Sequence, residues 1–219
     1  MWAVIGCSVL VAAIVVVVLI VISASGSSTD AGATGNVEIF GGIPQKGIEL
    51  GDPKAPVTVS EFAEPQCPHC KDYTLDEMPG LIEKYVQSGD ARMELHLLTF
   101  IGSDSLPGAQ AAYAASLQDR MWQFMDVFYA RQGIENSGYV DQSFLDGVAE
   151  AAGVDVDQMN ADMSSQEVAG KIADAKSAAE DAGVNGTPTF LVGPTGGDLE
   201  TVSQEDLSSA IDEQLAASK

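Results

Sequence analysis

The spacing of apolar residues changes along the chain, and each spacing predicts a different element. Residues Trp2 to Ile22 form an uncharged run, mostly Val, Ile, Leu and Ala. At ~1.5 Å per residue a helix of that length spans roughly 30 Å, the hydrocarbon thickness of a bilayer. The apolar stretch of a cleavable signal is usually about 7–15 residues long, so residues 1–22 are expected to be an uncleaved transmembrane signal-anchor, with the catalytic part outside the cytoplasm. Ser23-Ala24-Ser25-Gly26 offers small residues for cleavage as the alternative. Ser, Gly, Ala and Thr dominate 23–36, which predicts a flexible linker, and one folded domain is expected over 37–219.

Within that domain, 47–56 mixes turn residues with short apolar stretches and predicts turns. Val57 to Phe62 is β-branched at alternate positions and predicts a strand. Met78, Leu81, Ile82, Tyr85 and Val86 recur at helical spacing, with Pro79 placed to kink the helix. Met93, Leu95 and Leu97 then alternate as in a strand. From about 103 to 183 the pattern is helical: one helix through Ala111 to Leu117, an aromatic-rich one over Met121 to Tyr129, a third through Phe144 to Ala151, and a longer one through Val168 to Ala179. Trp122, Phe124, Phe128 and Tyr129 predict packing inside a helical subdomain rather than a binding surface. Strand character returns at Thr189 to Val192 and Leu199 to Val202. Ser203 and Asp206 signal a helix start, and Leu207, Ala210, Ile211 and Leu215 make a terminal amphipathic stripe. The order predicts an α/β fold, a small sheet interrupted by a helical insertion.

Charge narrows the function. The chain carries 32 acidic and 10 basic side chains, a formal net charge of -22. Nucleic-acid binding needs a cationic face to neutralise phosphates, so no nucleic-acid partner is expected. Most of these carboxylates are read as a solvated surface.

Three cysteines are present, too few for a small scaffold stapled by disulfides. Cys7 lies in the apolar run and is read as a small membrane residue. Cys67 and Cys70 are separated by Pro68 and His69. As a structural staple such a short loop would restrain the unfolded chain by only about 2 kcal/mol. A closed zinc site would need two more good ligands, and His96 is read as an ordinary strand residue. A redox pair fits the position best. Cys67 falls at a strand-to-helix turn, where unpaired N–H groups and the helix dipole favour a thiolate. Pro68 suits the first helical turn, and His69 can donate a hydrogen bond or carry positive charge. Cys67 is therefore the expected nucleophile and Cys70 the less exposed resolving thiol. Glu64 and Gln66 are expected to form an exposed rim.

Cys67-Pro68-His69-Cys70, taken with Gly186-Thr187-Pro188-Thr189-Phe190 before a strand, resembles the DsbA-type disulfide oxidases of the thioredoxin superfamily. The resemblance covers roughly Ile43 to the C-terminus. It implies a thioredoxin fold with a helical insertion (about 103–183) between an N-terminal βαβ part and a C-terminal ββα part. It also implies that Pro188 is cis and that Thr187-Pro188 lies against the dithiol and aligns client peptides. Thr187 stands where Val is common in the best-known oxidases. Glu61 occupies the place of an acidic residue that relays protons to the resolving cysteine; an ordinary surface Glu is the competing reading. The implied function is oxidation of thiols in exported proteins at the membrane, with no cofactor beyond the Cys67–Cys70 disulfide; with no obvious dimerisation extension, a monomer is expected. A DsbB-like or vitamin K epoxide reductase-like membrane protein would reoxidise it. Alternatives are a reductase or isomerase, or a redox-inert peptide-binding domain.

Overall fold

The computed structural model describes residues 34–218. The expected anchor and most of the expected linker lie outside them. Among the described residues no helix is long and apolar enough to cross a membrane. Asn36, the last residue of the expected linker, is already held: its side chain donates to the Leu75 carbonyl at 3.1 Å, and its backbone N–H donates to the Asp126 carboxylate.

Six strands form one sheet: β1 (Gln45–Lys46), β2 (Glu49–Leu50), β3 (Val57–Ala63), β4 (Ala91–Leu97), β5 (Thr189–Pro194) and β6 (Glu200–Val202). Their spatial order is β1-β2-β4-β3-β5-β6. β3 runs parallel to β4, and the other neighbours are antiparallel. Every residue of the central β3 is buried, including Thr58, Ser60 and Glu61, because both its faces are covered. β4 keeps a clean alternation, with Ala91, Met93, Leu95 and Leu97 buried and Arg92, Glu94 and His96 half-buried. His96 stacks on the Phe62 ring at 4.8 Å. β2 replaces part of the turn predicted over 47–56, and β1 precedes it. Two residues are too few to show a period, and Gly47, at φ +60, supplies the bend between them.

Between β3 and β4 runs a helical stretch made of α1 (Pro68–Asp72) and α2 (Met78–Leu81), each followed by a π-helical turn, Tyr73–Glu77 and Ile82–Val86. The expected disturbance at Pro79 takes the form of the wide turn just before it. Proline has no N–H to donate and its ring crowds the preceding turn, so widening accommodates it. The insertion follows as five helices: α3 (Ser105–Ser116), α4 (Met121–Ala130), α5 (Gln142–Ala152), α6 (Val156–Asp162) and α7 (Gln166–Asp181). α6 was not predicted; it is capped by Asp155, whose carboxylate accepts from Gln158 N–H at 3.0 Å, and buries only Met159. The aromatic stripe of α4 is core, as expected, with Phe128 edge-on to Phe144 at 5.2 Å. Trp122 joins this core to the sheet by donating to the Ile48 carbonyl at 3.1 Å. Ser203 and Asp206 exchange hydrogen bonds of 2.7 and 3.2 Å ahead of α8 (Leu207–Ala217), which buries Leu207 and Ile211. The result is a βαβ part, a helical insertion and a ββα part around one core.

Candidate active site

β3 ends at Ala63, and the chain turns through Glu64-Pro65-Gln66 into α1. The turn is closed by Cys67 N–H donating to the Glu64 carbonyl at 3.0 Å. Cys67 caps α1 with extended backbone, and its sulfur accepts the Cys70 N–H at 3.3 Å. Pro68 takes the first helical turn, where its missing N–H costs nothing. β5 pairs antiparallel with β3, Phe62 opposite Thr189, so the segment just before β5 arrives beside the dithiol. There the Thr187–Pro188 peptide is cis, and the Cys67 thiol lies 3.3 Å from the Thr187 carbonyl, to which it can donate. Residues 120 positions apart thus meet because two strands pair.

Both thiols are free and both are buried, Cys67 at 3 % exposure and Cys70 at 0 %. Their acidities are driven apart. The Cys67 thiol is pulled down to about 5, chiefly by a hydrogen bond from the Cys70 thiol. Burial opposes this, but the Thr187 side chain and the backbone amides of Cys70 and His69 add further donors. Cys70 moves the other way, well above the ordinary thiol range, because it is buried and because Cys67 and then Glu61 place negative charge near it. His69 acts on the sulfur through its backbone amide; its side chain is exposed.

Glu61 is not a surface residue. It projects from β3 at 1 % exposure, and its Oε1 has no hydrogen-bond partner in the small enclosed cavity lined by Thr74, Leu95, Trp122 and Tyr129. Burial, with the charge of Cys67 second, pushes its carboxyl up to about 8.

The expected exposed rim is also corrected: Glu64 and Gln66 are buried, at 0 % and 2 % exposure. The insertion folds over them. Tyr129 of α4 donates its hydroxyl to the Glu64 carbonyl at 3.1 Å. Gln132 donates to the carbonyls of Pro65 and Cys67 at 2.9 and 3.3 Å. Asn136 N–H donates to Gln66 Oε1 at 2.7 Å, and Gln66 Nε2 returns a bond to Asn136 Oδ1 at 3.3 Å. None of Tyr129, Gln132 or Asn136 carries a local signal for this role.

A family model described as Thioredoxin matches residues 44–213. Among curated proteins, the probable disulfide bond formation protein D of Bacillus cereus is 30% identical over 170 residues, which cover 76% of this chain and 77% of that protein. Its counterpart in Bacillus anthracis is 31% identical with the same coverage, 76% and 77%. Among solved structures, oxidised BdbD from Bacillus subtilis superposes with a TM-score of 0.69 at 20% identity, covering 80% of this chain and 97% of that one. The mixed sheet and the helical insertion agree with these relationships. The chain belongs to the thioredoxin family and is a DsbA-like thiol–disulfide oxidoreductase.

Proposed function

We propose that the protein works as a dithiol oxidase, introducing disulfides into exported proteins outside the cytoplasm, tethered by a single membrane-spanning anchor at 1–22. The observation that carries this reading is the placement of Cys67 at the N-terminus of α1, its sulfur 3.3 Å from both the Cys70 N–H and the Thr187 carbonyl, with Cys70 fully buried behind it; that setting pulls Cys67 down to about 5 and pushes Cys70 up. A disulfide is a stronger oxidant when its reduced form is stabilised, and a stable Cys67 thiolate stabilises that form.

The reaction begins with the Cys67–Cys70 disulfide. A client thiolate attacks Cys67 Sγ; the S–S bond breaks, and Cys70 leaves and takes up a proton, with Glu61 the nearby proton carrier. A second client thiolate then attacks the client sulfur of the mixed disulfide. The client disulfide forms, and Cys67 departs as the thiolate its hydrogen bonds favour. Two electrons have passed from client to enzyme. Thr187 and Pro188 hold the client backbone beside Cys67. The sulfur pair supplies all the chemistry, with no organic cofactor. Reoxidation falls to a quinone-linked membrane protein of DsbB-like or vitamin K epoxide reductase-like type, and the enzyme acts as a monomer.

Cys67→Ser should abolish client oxidation and insulin reduction; retained turnover would refute the mechanism. In the parent, alkylation of Cys67 should rise with pH to a plateau with a midpoint of about 5. Equilibrium with glutathione should place the couple nearer the oxidising extreme of about −120 mV than thioredoxin's roughly −270 mV. A value at the thioredoxin end would make the protein a reductase.

A further inference from the structure

Gln132 follows the end of α4, and its backbone N–H still donates to the Tyr129 carbonyl at 3.1 Å, so the helix fixes where its side chain starts. That side chain ends in one NH2 group with two hydrogens to give. One goes to the Pro65 carbonyl at 2.9 Å and the other to the Cys67 carbonyl at 3.3 Å. The Cys67 carbonyl also takes the Lys71 N–H at 3.2 Å, the first bond of α1. Cys67 caps that helix with φ -69 and ψ 119, and its sulfur accepts the Cys70 N–H at 3.3 Å. A cap side chain reaches the N–H three residues on only while its own backbone stays extended. Rotation about ψ of Cys67 changes the angle between its sulfur and its carbonyl, which belongs to α1. The two carbonyls held by Gln132 lie on either side of that rotation, one before the Cys67 Cα and one after it. A single amide thus bridges the bonds that would have to turn for the sulfur to leave the Cys70 N–H.

We propose that Gln132 is a positioning residue of the redox reaction: its amide staples the carbonyls of Pro65 and Cys67 together and so keeps the Cys67 sulfur on the Cys70 N–H while the two thiols are free. The inference rests on the thiol–disulfide reading above and adds the group that holds the reduced site in register. Both thiols are free in this structure, and in that state nothing covalent ties residue 67 to residue 70. In the oxidised protein the S–S bond itself makes that tie, and the sulfur carries no charge for the N–H to stabilise. A hydrogen bond to a charged acceptor is worth more than one to a neutral acceptor. Gln132 therefore stabilises the reduced form more than the oxidised one, which strengthens the disulfide as an oxidant. The donor comes from the loop after α4, so the helical insertion reaches the nucleophile through this one side chain.

The test compares the full chain with Gln132→Met, Gln132→Glu and Gln132→Asn. Thiolate absorbance is titrated against pH, the equilibrium with glutathione is measured, and urea melts are recorded for the reduced and the oxidised proteins. Methionine is similar in length to glutamine but has no hydrogen to give. Gln132→Met should raise the Cys67 titration midpoint by about half to one pH unit and shift the equilibrium toward oxidised enzyme roughly three- to tenfold. Its melts should weaken more in the reduced protein than in the oxidised one. Gln132→Glu keeps the shape but replaces the donors with acceptors, and should move both readings the same way, at least as far. Gln132→Asn carries the amide on a stem one carbon shorter and should fall between the parent and Gln132→Met. A residue that merely supported the fold would weaken both redox forms alike and leave midpoint and equilibrium at parental values. That outcome in Gln132→Met, or a shift the opposite way, overturns the proposal. Should Gln132→Met fail to fold, unmoved readings in Gln132→Asn overturn it instead. A parent that does not exchange with glutathione would sink the proposed function. An exchanging parent with unmoved variants would sink only the role of Gln132.

Discussion

Glu61 and Glu64 lie three residues apart, both are withdrawn from water, and burial raises both carboxyls. At Glu64 hydrogen bonds from Ser105 and the Gln66 and Ile101 amides oppose the rise, whereas Glu61 has an unpartnered oxygen and keeps a proton up to about 8. The folded protein therefore binds the Glu61 proton more tightly than the unfolded chain does, whose carboxyl has the ordinary value of 4.5. Stability from this group is fully present below that ordinary value and is lost as pH rises through about 8. Glu61→Gln removes the titration. In urea melts of the reduced protein the variant should gain on the parent by a few kcal/mol, as an order of magnitude, at about pH 8–9, and the gain should vanish near pH 4. A constant difference across that range would refute the assignment. At this scale the dithiol is legible in the sequence, because two cysteines two residues apart after a strand have few other uses; Glu61 is pointed to only by the family resemblance, with a surface Glu left open. The burial of Glu64 and Gln66 is not, since it comes from residues 101–136 folding back over the turn.

The elements that make the site are held by a few hydrogen bonds between the redox turn and the loop after α4. Asn136 is central among them: it pairs with Gln66 while its own backbone sits at φ +54. Asparagine tolerates that left-handed region better than most residues with a Cβ. Asn136→Ala should lose a hydrogen bond to Gln66 and suffer backbone strain, costing roughly 1–3 kcal/mol. Asn136→Gly loses the same bond without the strain and should cost less. Denaturant melts of the two variants check the order. The same close packing explains Gly108 in α3, where a Cβ would stand 3.0 Å from the Phe128 ring and 3.1 Å from Pro65. The long helices were legible from their apolar periods. α6, which buries a single side chain, and the two-residue strands β1 and β2 were not, because so few contacts leave no period to read.

Over the whole molecule the net charge of -22 exceeds what local pairing can offset. Lys46–Asp119 at 3.5 Å and Lys84–Asp212 at 3.1 Å are exposed pairs of the kind that add little stability. Self-repulsion should dominate, so the melting temperature should rise as NaCl goes from about 0.01 to 1 M and the screening length falls from roughly 30 to 3 Å. Client peptides rich in Lys and Arg should react faster than acidic ones at low salt, with the contrast shrinking as salt is added. Stopped-flow rates at matched pH would show it, and equal rates would argue that the charge is remote from the client path. Strand, helix and turn order, the acidic surface and the chemistry of Cys67–Cys70 follow from neighbours within a few positions, so they can be read along the chain. The donors that reach each sulfur, the enclosure of Glu61 and the burial of Glu64 and Gln66 required the folded chain. They depend on which distant segments exclude water and supply donors, and β3–β5 pairing and the closure of the insertion decide that.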